Sequence, residues 1–547
     1  MVASLQFDLF AGHSATFAEN EDGLITLALA LGAAEVPGWS RSEEQLVRCR
    51  KSAWPAAVVR DLRERIASGA DPLGEQFCRL RTAAVRRSRG ATYTPPAIVR
   101  AMVEWSAELG QPRRVVDPGT ASGRFLLAAG RRFRRAELLG VEIDPLAALL
   151  ARANLAAAGF SKRSRVLVAD YREHLPRIES GATLFIGNPP YVRHHTIESR
   201  WKRWLIAAAG RRGIMASGLA GLHAHFYVAT ADHARPGDFG CLITSAEWLD
   251  VNYGSVIREL LLGELGLDRL AVVEPSARPF PDAATTAVVT RFRVGERPPR
   301  VSVWRVDDAA RLSHPNGCAL SVRRERLAAG SRWTPLTRRR RPTPAGHVEL
   351  GELCRVHRGQ VTGNNGFWTA GPHSRNLPES VLFPSITKAR ELFEAGAEIE
   401  SAAALRLIID LPPDLEVLSD RDRKAVERFL AEGRKLGIPE GYIASNRKPW
   451  WSVRLREPAP ILATYMARRP PAFVYNHSQV RHINIAHGIY PREPLEPAVL
   501  VELARYLSSQ TRLESGRMYA GGLTKFEPRE MERLLVPRPE VLRTGVQ

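Results

Sequence analysis

The sequence predicts an α/β protein: a largely parallel sheet flanked by helices, preceded by a helical N-terminal extension and followed by a separate α+β domain. Three observations carry this reading. Short apolar runs alternate with Ala/Leu-rich stretches from about Thr92 to Val294, the pattern of strands joined by crossover helices. Successive runs end in a polar side chain, which collects Asp117, Glu142, Asp170 and Asn188 at one sheet edge, where ligands of such sheets bind. The charge is also uneven: −4 over residues 1–50, +6 over 51–100 and +6 over 301–350.

The length of 547 residues leaves room for two to four domains of roughly 100–200 residues each. With 44% hydrophobic and 25% charged residues, global disorder is excluded. Lys and Arg total 78 against 58 Asp and Glu, a net charge of +20, so a polyanion is the first partner to test. Only eight of these bases are Lys. The arginine skew also fits a GC-rich genome, so charge alone does not establish nucleic acid as the partner. Cys49, Cys78, Cys241, Cys318 and Cys354 are scattered and form no CxxC pair, which suggests neither a disulfide framework nor a zinc site. Asp8, Glu19, Glu21 and Asp22 precede any Lys or Arg, which is wrong for a signal peptide. The run Leu24–Ala34 falls short of the ~20 residues that span a bilayer. A reduced bacterial cytoplasm is the expected setting.

Residues 1–85 are expected as the helical extension, with Val58–Ala67 amphipathic and Ala70-Asp71-Pro72 ending that helix. The catalytic domain is expected at 86–300. Its buried strands are Arg114–Val116, Leu138–Glu142, Arg165–Val168, Thr183–Ile186, Phe239–Thr244, Leu270–Glu274 and Ala287–Phe292, with a helix such as Leu146–Ala158 between. Residues 301–344, containing Arg338–Arg341 and then Pro342 and Pro344, read as a basic linker. The C-terminal domain is expected at 345–547.

The first chemical motif is Val115-Val116-Asp117-Pro118-Gly119-Thr120-Ala121-Ser122-Gly123-Arg124-Phe125. A strand runs into a loop of small residues and then a helix, so backbone amides can approach a ligand under the positive field of the helix N-terminus. About twenty residues on, a strand ends Gly140-Val141-Glu142-Ile143-Asp144, where Glu142 can accept hydrogen bonds from both ribose hydroxyls. The next ends at Asp170, positioned to accept from an adenine amino group. An adenosine-containing cofactor fits, although this spacing does not separate NAD from S-adenosylmethionine.

The fourth strand ends Gly187-Asn188-Pro189-Pro190-Tyr191. Two prolines stop the strand and fix the backbone. The Asn188 side-chain oxygen and the Pro189 carbonyl can then accept both hydrogens of a planar amino group, while Tyr191 stacks on the ring that carries it.

Asn188–Tyr191 after such a fold resembles the amino-methyltransferases, in particular the N6-adenine-specific DNA methyltransferases of type II restriction–modification systems. Gly90–Pro96 resembles the segment that contacts the methionine end of the cofactor, Leu222–Ala231 the helix after the catalytic loop, and Phe280–Thr286 the motif whose aromatic packs on the target base. This order is the gamma arrangement of TaqI-like enzymes. Thr120 stands where many relatives have Cys, and Ala121 where many have Gly; TaqI-like members share the Ala. The match covers roughly residues 85–300. Gly359–Phe367 and Gly521–Pro528 are similar to turns of the recognition domains of these methylases.

The resemblance implies a class I S-adenosylmethionine-dependent, Rossmann-like methyltransferase domain and a C-terminal DNA target-recognition domain. It implies cofactor contacts from Tyr93, Thr94, Asp117, Gly119, Gly123, Phe125, Glu142, Ile143, Asp170 and Asn188. Asn188, Pro189, Pro190 and Tyr191 are the catalytic set, with Tyr191 and Phe280 stacking on an adenine flipped from duplex DNA. Neither a metal nor a covalent enzyme intermediate is expected. Arg86, Arg87, Arg89, Arg338, Arg339, Arg340 and Arg341 are candidate phosphate contacts. Trp450, Trp451, Asn476 and His477 are expected to pack rather than reach base edges. The expected partners are double-stranded DNA and a separate cognate restriction endonuclease, with no membrane; a monomer is expected. The alternatives are a methyltransferase of RNA or protein glutamine sharing Asn188–Tyr191, a fused nuclease, and an inactive DNA-binding subunit.

Overall fold

Strand β1 (Arg114–Pro118) is buried along its whole length. On one side it pairs with β2 (Glu137–Glu142), which pairs with β3 (Ser164–Val168). On the other side come β4 (Thr183–Gly187) and β5 (Phe239–Ser245), all five strands running parallel. The chain thus steps outward from β1 to β3 and returns to β4 on the far side of β1. Loops leaving the ends of β1 and β4 therefore emerge at the switch point of the sheet, where doubly wound folds hold ligands.

Beyond β5 the sheet is mixed. Strand β7 (Ala287–Arg293) is inserted antiparallel between β5 and β6 (Leu267–Val273), followed by β8 (Arg300–Val306) and β9 (Leu320–Arg323), giving the order β3-β2-β1-β4-β5-β7-β6-β8-β9. The computed structural model describes residues 17–48, 50, 54–82, 93–173, 175–176, 180–274, 286–308, 311–312, 319–338, 343–519 and 523–543.

Strand periodicity sends neighbouring side chains to opposite faces, and both faces are covered. Leu184 and Ile186 of β4 enter one core while Phe185 enters another. Ala271 and Val273 of β6 join the first core, whereas Leu270 and Val272 join a third. The first core also takes Leu24, Leu27, Leu62, Ile66 and Phe77 from the N-terminal helices Glu21–Ala30, Ala56–Ser68 and Pro72–Leu80. The extension is helical as expected, yet it forms one face of the sheet rather than an appendage. The backbone N–H of Val166 in the edge strand β3 donates to the Pro37 carbonyl at 3.2 Å.

The expected linker at 301–344 is corrected by β8 and β9, which lie within it. Val301, Val303, Trp304 and Val306 are buried, and the Trp304 ring centroid lies 4.9 Å from that of Trp105. Of the ten bases in the 301–350 window only Arg305 lies in β8, where it is less buried than its apolar neighbours, and the others follow the strand. Charge counted over fifty residues averaged away a strand of seven.

By contacts the chain divides into two units, Met1–Arg339 and Arg340–Gln547. The second unit is α+β. A four-stranded antiparallel sheet of Cys354–Arg358, Ala486–Pro491, Ile461–Thr464 and Phe473–Tyr475 packs with the helix Pro497–Gln510. Another core gathers Val426, Phe429 and Leu430 of the helix Asp420–Lys435 with Trp368, and Trp450 and Trp451 pack on it. Asn476 is buried, and its amide bonds the Ala459 and Val480 carbonyls at 2.9 and 2.8 Å.

Candidate active site

Three residues of the loop after β1 take left-handed backbone angles: Gly119 (φ +76°), Ala121 (φ +47°) and Gly123 (φ +88°). This region is open to glycine and uncommon for alanine. Ala121 is held there by its N–H, which donates to Glu142 Oε2 at 2.8 Å. The other Glu142 oxygen accepts from the N–H groups of Ile143 and Asp144 at 2.8 and 3.0 Å. Burial pushes the Glu142 carboxyl up, and these backbone donors oppose that shift. The loops after β1 and β2 are therefore joined through one carboxylate.

Asp117 ends β1 with only 1% of its surface exposed. Its Oδ2 accepts from Thr120 Oγ1 at 2.9 Å, and its buried Oδ1 has no hydrogen-bond partner. Burial, with a smaller contribution from Glu142, pushes the carboxyl up to about 8. Gly187, last in β4, makes this placement possible, since a Cβ there would lie 2.5 Å from Asp117 Oδ1. The acid of β1 and the residue that precedes Asn188 are thus in close contact.

Asn188 follows immediately, and its Nδ2 donates to Thr94 Oγ1 at 3.0 Å. Thr94 precedes the helix Pro96–Ala107. Two residues 94 positions apart in sequence thus meet, and the Thr94 bond fixes the orientation of the Asn188 amide, whose oxygen is buried. Pro189 is buried and Pro190 half-buried. Tyr191 is half-buried with its hydroxyl inside, and burial raises that hydroxyl well above its ordinary value, so it stays neutral.

Asp170 lies just past β3. Arg172 holds both its oxygens, Nε to Oδ1 at 2.8 Å and a terminal nitrogen to Oδ2 at 2.5 Å. The Arg172 guanidinium sits 3.7 Å over the Trp201 ring. His225 Nδ1 lies 3.4 Å from the remaining Arg172 nitrogen, and burial, aided by Arg172, lowers its imidazole to about 3.

Of the other expected site residues, Tyr93 is buried with the Arg124 guanidinium 4.9 Å from its ring centroid. Phe125 is buried in the first core, with little surface left for a ligand. Ile143 does the reverse: at the end of β2 its apolar side chain is 65% exposed. Arg338 is half-buried. Phe280, Arg86, Arg87, Arg89, Arg339, Arg340 and Arg341 lie outside the described residues. Arg172, Trp201 and His225 were not read from the sequence; an arginine two residues after the strand-end acid was the available signal. Asp71 was read only as a helix end, although its carboxylate accepts from Ser122 and Arg124 at the loop after β1.

The residues present fit an adenosine cofactor carrying a cationic amino-acid end. Asp117 offers a buried acceptor without a partner, Glu142 sits at the strand end suited to ribose, and Ile143 exposes an apolar surface suited to a purine face. Among the described residues, no group of three or more His, Cys, Asp or Glu could hold a metal ion, and no helix is long and apolar enough to cross a membrane.

The sheet order, the loop after β1 and the Asn188–Tyr191 turn define a methyltransferase of the class I S-adenosylmethionine-dependent fold. Three family models match in turn: N-6 DNA Methylase at residues 73–214, Eco57I restriction-modification methylase at 169–277, and the C-terminal domain of Type II methyltransferase M.Eco57I at 343–546. The chain belongs to the type II DNA methyltransferases of restriction–modification systems. It is 48% identical over 536 residues to Type II methyltransferase M.XamI of Xanthomonas campestris pv. amaranthicola, covering 96% of this chain and 99% of that protein. Type II methyltransferase M.AccI of Acinetobacter calcoaceticus is 21% identical over 467 residues, covering 82% and 85%. Among solved structures, the type IIL restriction-modification enzyme MmeI in complex with DNA superposes with a TM-score of 0.50 at 14% identity, covering 92% of this chain and 84% of that one, a likeness of fold.

Proposed function

We propose that this DNA methyltransferase acts on N6 of an adenine rotated out of duplex DNA, with S-adenosylmethionine as donor. The observation that carries the reading is Asn188 at the end of β4, its amide turned by Thr94 and its neighbour Gly187 against Asp117. The Asn188 side-chain oxygen and the Pro189 carbonyl accept the two hydrogens of the amino group. This withdraws the nitrogen lone pair from conjugation with the ring and toward the methyl group, the nitrogen then releases one of its two protons, and positioning with fixed dipoles carries the step. Tyr191, neutral and half-buried, stacks on the base, with Phe280 as the partner on its other face. Asp117, Glu142 and Ile143 hold the cofactor, which when bound supplies an electrophilic sulfonium methyl group.

The acceptor is DNA rather than RNA or a protein glutamine, because the similarity to a type II methyltransferase runs through the C-terminal unit and is not confined to the catalytic fold. Methylation protects host DNA from a separate endonuclease that cuts the same site. Incubation with labelled S-adenosylmethionine and varied duplex DNA tests the reading: N6-methyladenine is expected at one sequence, read by modification-sensitive sequencing. Label on cytosine, on RNA or on protein, or no label at all, would overturn it.

A further inference from the structure

Asp71 lies in the N-terminal extension, outside every motif that marks the catalytic domain, and caps the helix Pro72–Leu80 through a bond from the Gly74 N–H at 2.9 Å. Its carboxylate does more than cap. It is 6% exposed and accepts three further hydrogen bonds. Ser122 Oγ donates to Oδ2 at 2.5 Å and Arg124 Nε to the same oxygen at 2.6 Å. Asn154 Nδ2 donates to Oδ1 at 2.8 Å and also bridges to the Ser122 carbonyl at 2.8 Å. Ser122 belongs to the left-handed loop after β1, Arg124 opens the helix that follows it, and Asn154 lies in the helix Pro145–Ala157.

The contact extends to the catalytic loop. Arg124, fixed by Asp71 through Nε, uses a terminal nitrogen to donate to the Thr94 carbonyl at 3.1 Å. Thr94 Oγ1 in turn accepts from Asn188 Nδ2 at 3.0 Å. Asp71, Arg124, Thr94 and Asn188 thus form one continuous hydrogen-bonded chain from the extension to the amide that faces the target amino group. Gly74 is shaped to this arrangement, since a Cβ there would lie 2.1 Å from Asp71 Oδ2 and 2.5 Å from Ser122 Oγ.

We infer that Asp71 is a positioning residue of the methyl transfer, holding the cofactor loop from behind and setting Asn188 through Arg124 and Thr94. The inference rests on the cofactor and catalytic assignments above. All four contacts of the carboxylate are acceptor contacts, so an amide at this position sets a donor against Arg124 or Asn154. A second route to the same perturbation leaves Asp71 in place. Gly74→Ala improves local helix propensity but pushes the carboxylate off the loop.

The test uses the full chain with Asp71→Asn and Gly74→Ala. Calorimetric titration with S-adenosylhomocysteine is expected to show affinity lowered roughly tenfold, the worth of one charge-assisted bond. Displacement of Asn188 is expected to lower kcat at saturating cofactor by up to about a hundredfold, with KM for DNA within about twofold of wild type. In the cofactor-free protein, hydrogen exchange at Ala121 and Gly123 is expected to quicken while the helix Ala56–Ser68 stays protected. Wild-type cofactor affinity and kcat in both variants would overturn the inference. So would unfolding of both, or loss of activity only in proportion to the folded fraction, since Asp71 would then be a stability residue. Failure of the wild-type chain itself to bind S-adenosylhomocysteine would instead overturn the assignment of the cofactor site.

Discussion

Arg152 and Glu43 form an ion pair at 2.7 Å in which neither side chain exposes any surface. Arg152 sits in the helix that follows β2, and Glu43 in the N-terminal helix Arg41–Val47. The guanidinium also donates to the carbonyls of Val36, Pro37 and Val166 at 2.7–2.8 Å, and lies 5.0 Å from the Trp39 ring centroid. Among its acceptors only Glu43 brings a full opposite charge.

Glu43→Gln is therefore expected to strand a buried cation and cost about 3–5 kcal/mol in denaturant unfolding. Joint replacement by Glu43→Leu and Arg152→Met is expected to recover part of that loss, because well-packed apolar pairs often equal buried ion pairs. A loss under about 1 kcal/mol for Glu43→Gln would show that the three carbonyls suffice for the charge.

Trp304→Ala distinguishes a sheet strand from a linker. Trp304 is buried against Trp105, so the substitution is expected to cost about 3–5 kcal/mol. An unchanged unfolding midpoint would return residues 300–306 to the status of a connector.

Much of the fold and the centre of the site were legible because they depend on local pattern. The strands β1 to β4 are apolar runs that run into Asp117, Glu142, Asp170 or Pro189, and each has a signature within about ten residues. What escaped depends on pairs distant in sequence. Nothing near Glu43 marks it as the partner of Arg152, and nothing near Asp71 marks it as the acceptor for Ser122 and Arg124. Strand β8 was hidden differently, since Arg323–Arg326 and Arg338–Arg341 dominate the charge count of the window while Val301 and Val303 carry the period of two. The reversal of β7 between β5 and β6 has no local signal, because an antiparallel and a parallel buried strand share the same apolar composition.

Asp117 gives a pH dependence of definite sign. Its carboxyl titrates near 3.9 in an unfolded chain and at about 8 in the folded protein. Between those values the folded state holds a proton that the unfolded state has released, so Asp117 lowers stability as pH rises, with a limiting slope of about 1.4 kcal/mol per pH unit. Unfolding curves from pH 5 to 8 are expected to show the wild type losing stability relative to Asp117→Asn. Parallel curves would mean that the folded carboxyl is already charged at pH 5.

Asn188→Ala is expected to reduce methyl transfer at least about a hundredfold while S-adenosylhomocysteine affinity changes less than about threefold. Gly187→Ala is expected to damage both, because its new Cβ would lie 2.5 Å from Asp117 Oδ1 and 3.2 Å from Pro118 Cδ. Calorimetry and a labelled methyl-transfer assay on the same preparations separate the two cases. Equal loss of binding and transfer in Asn188→Ala would reassign that residue to the cofactor.

The bond from Val166 to the Pro37 carbonyl bears on how the protein behaves in a crowded cell. An open edge strand offers its unpaired amides to any passing strand, the usual start of sheet-to-sheet aggregation. Here Pro37 takes one of those amides, and a Cβ on the adjoining Gly38 would lie 2.3 Å from the Val166 oxygen. The N-terminal segment thus lies along β3 as a blunt cap, in a form that no further strand can extend at that point. Pro37 and Gly38 guard the rim of the sheet, and a substitution such as Gly38→Val would expose it to self-association.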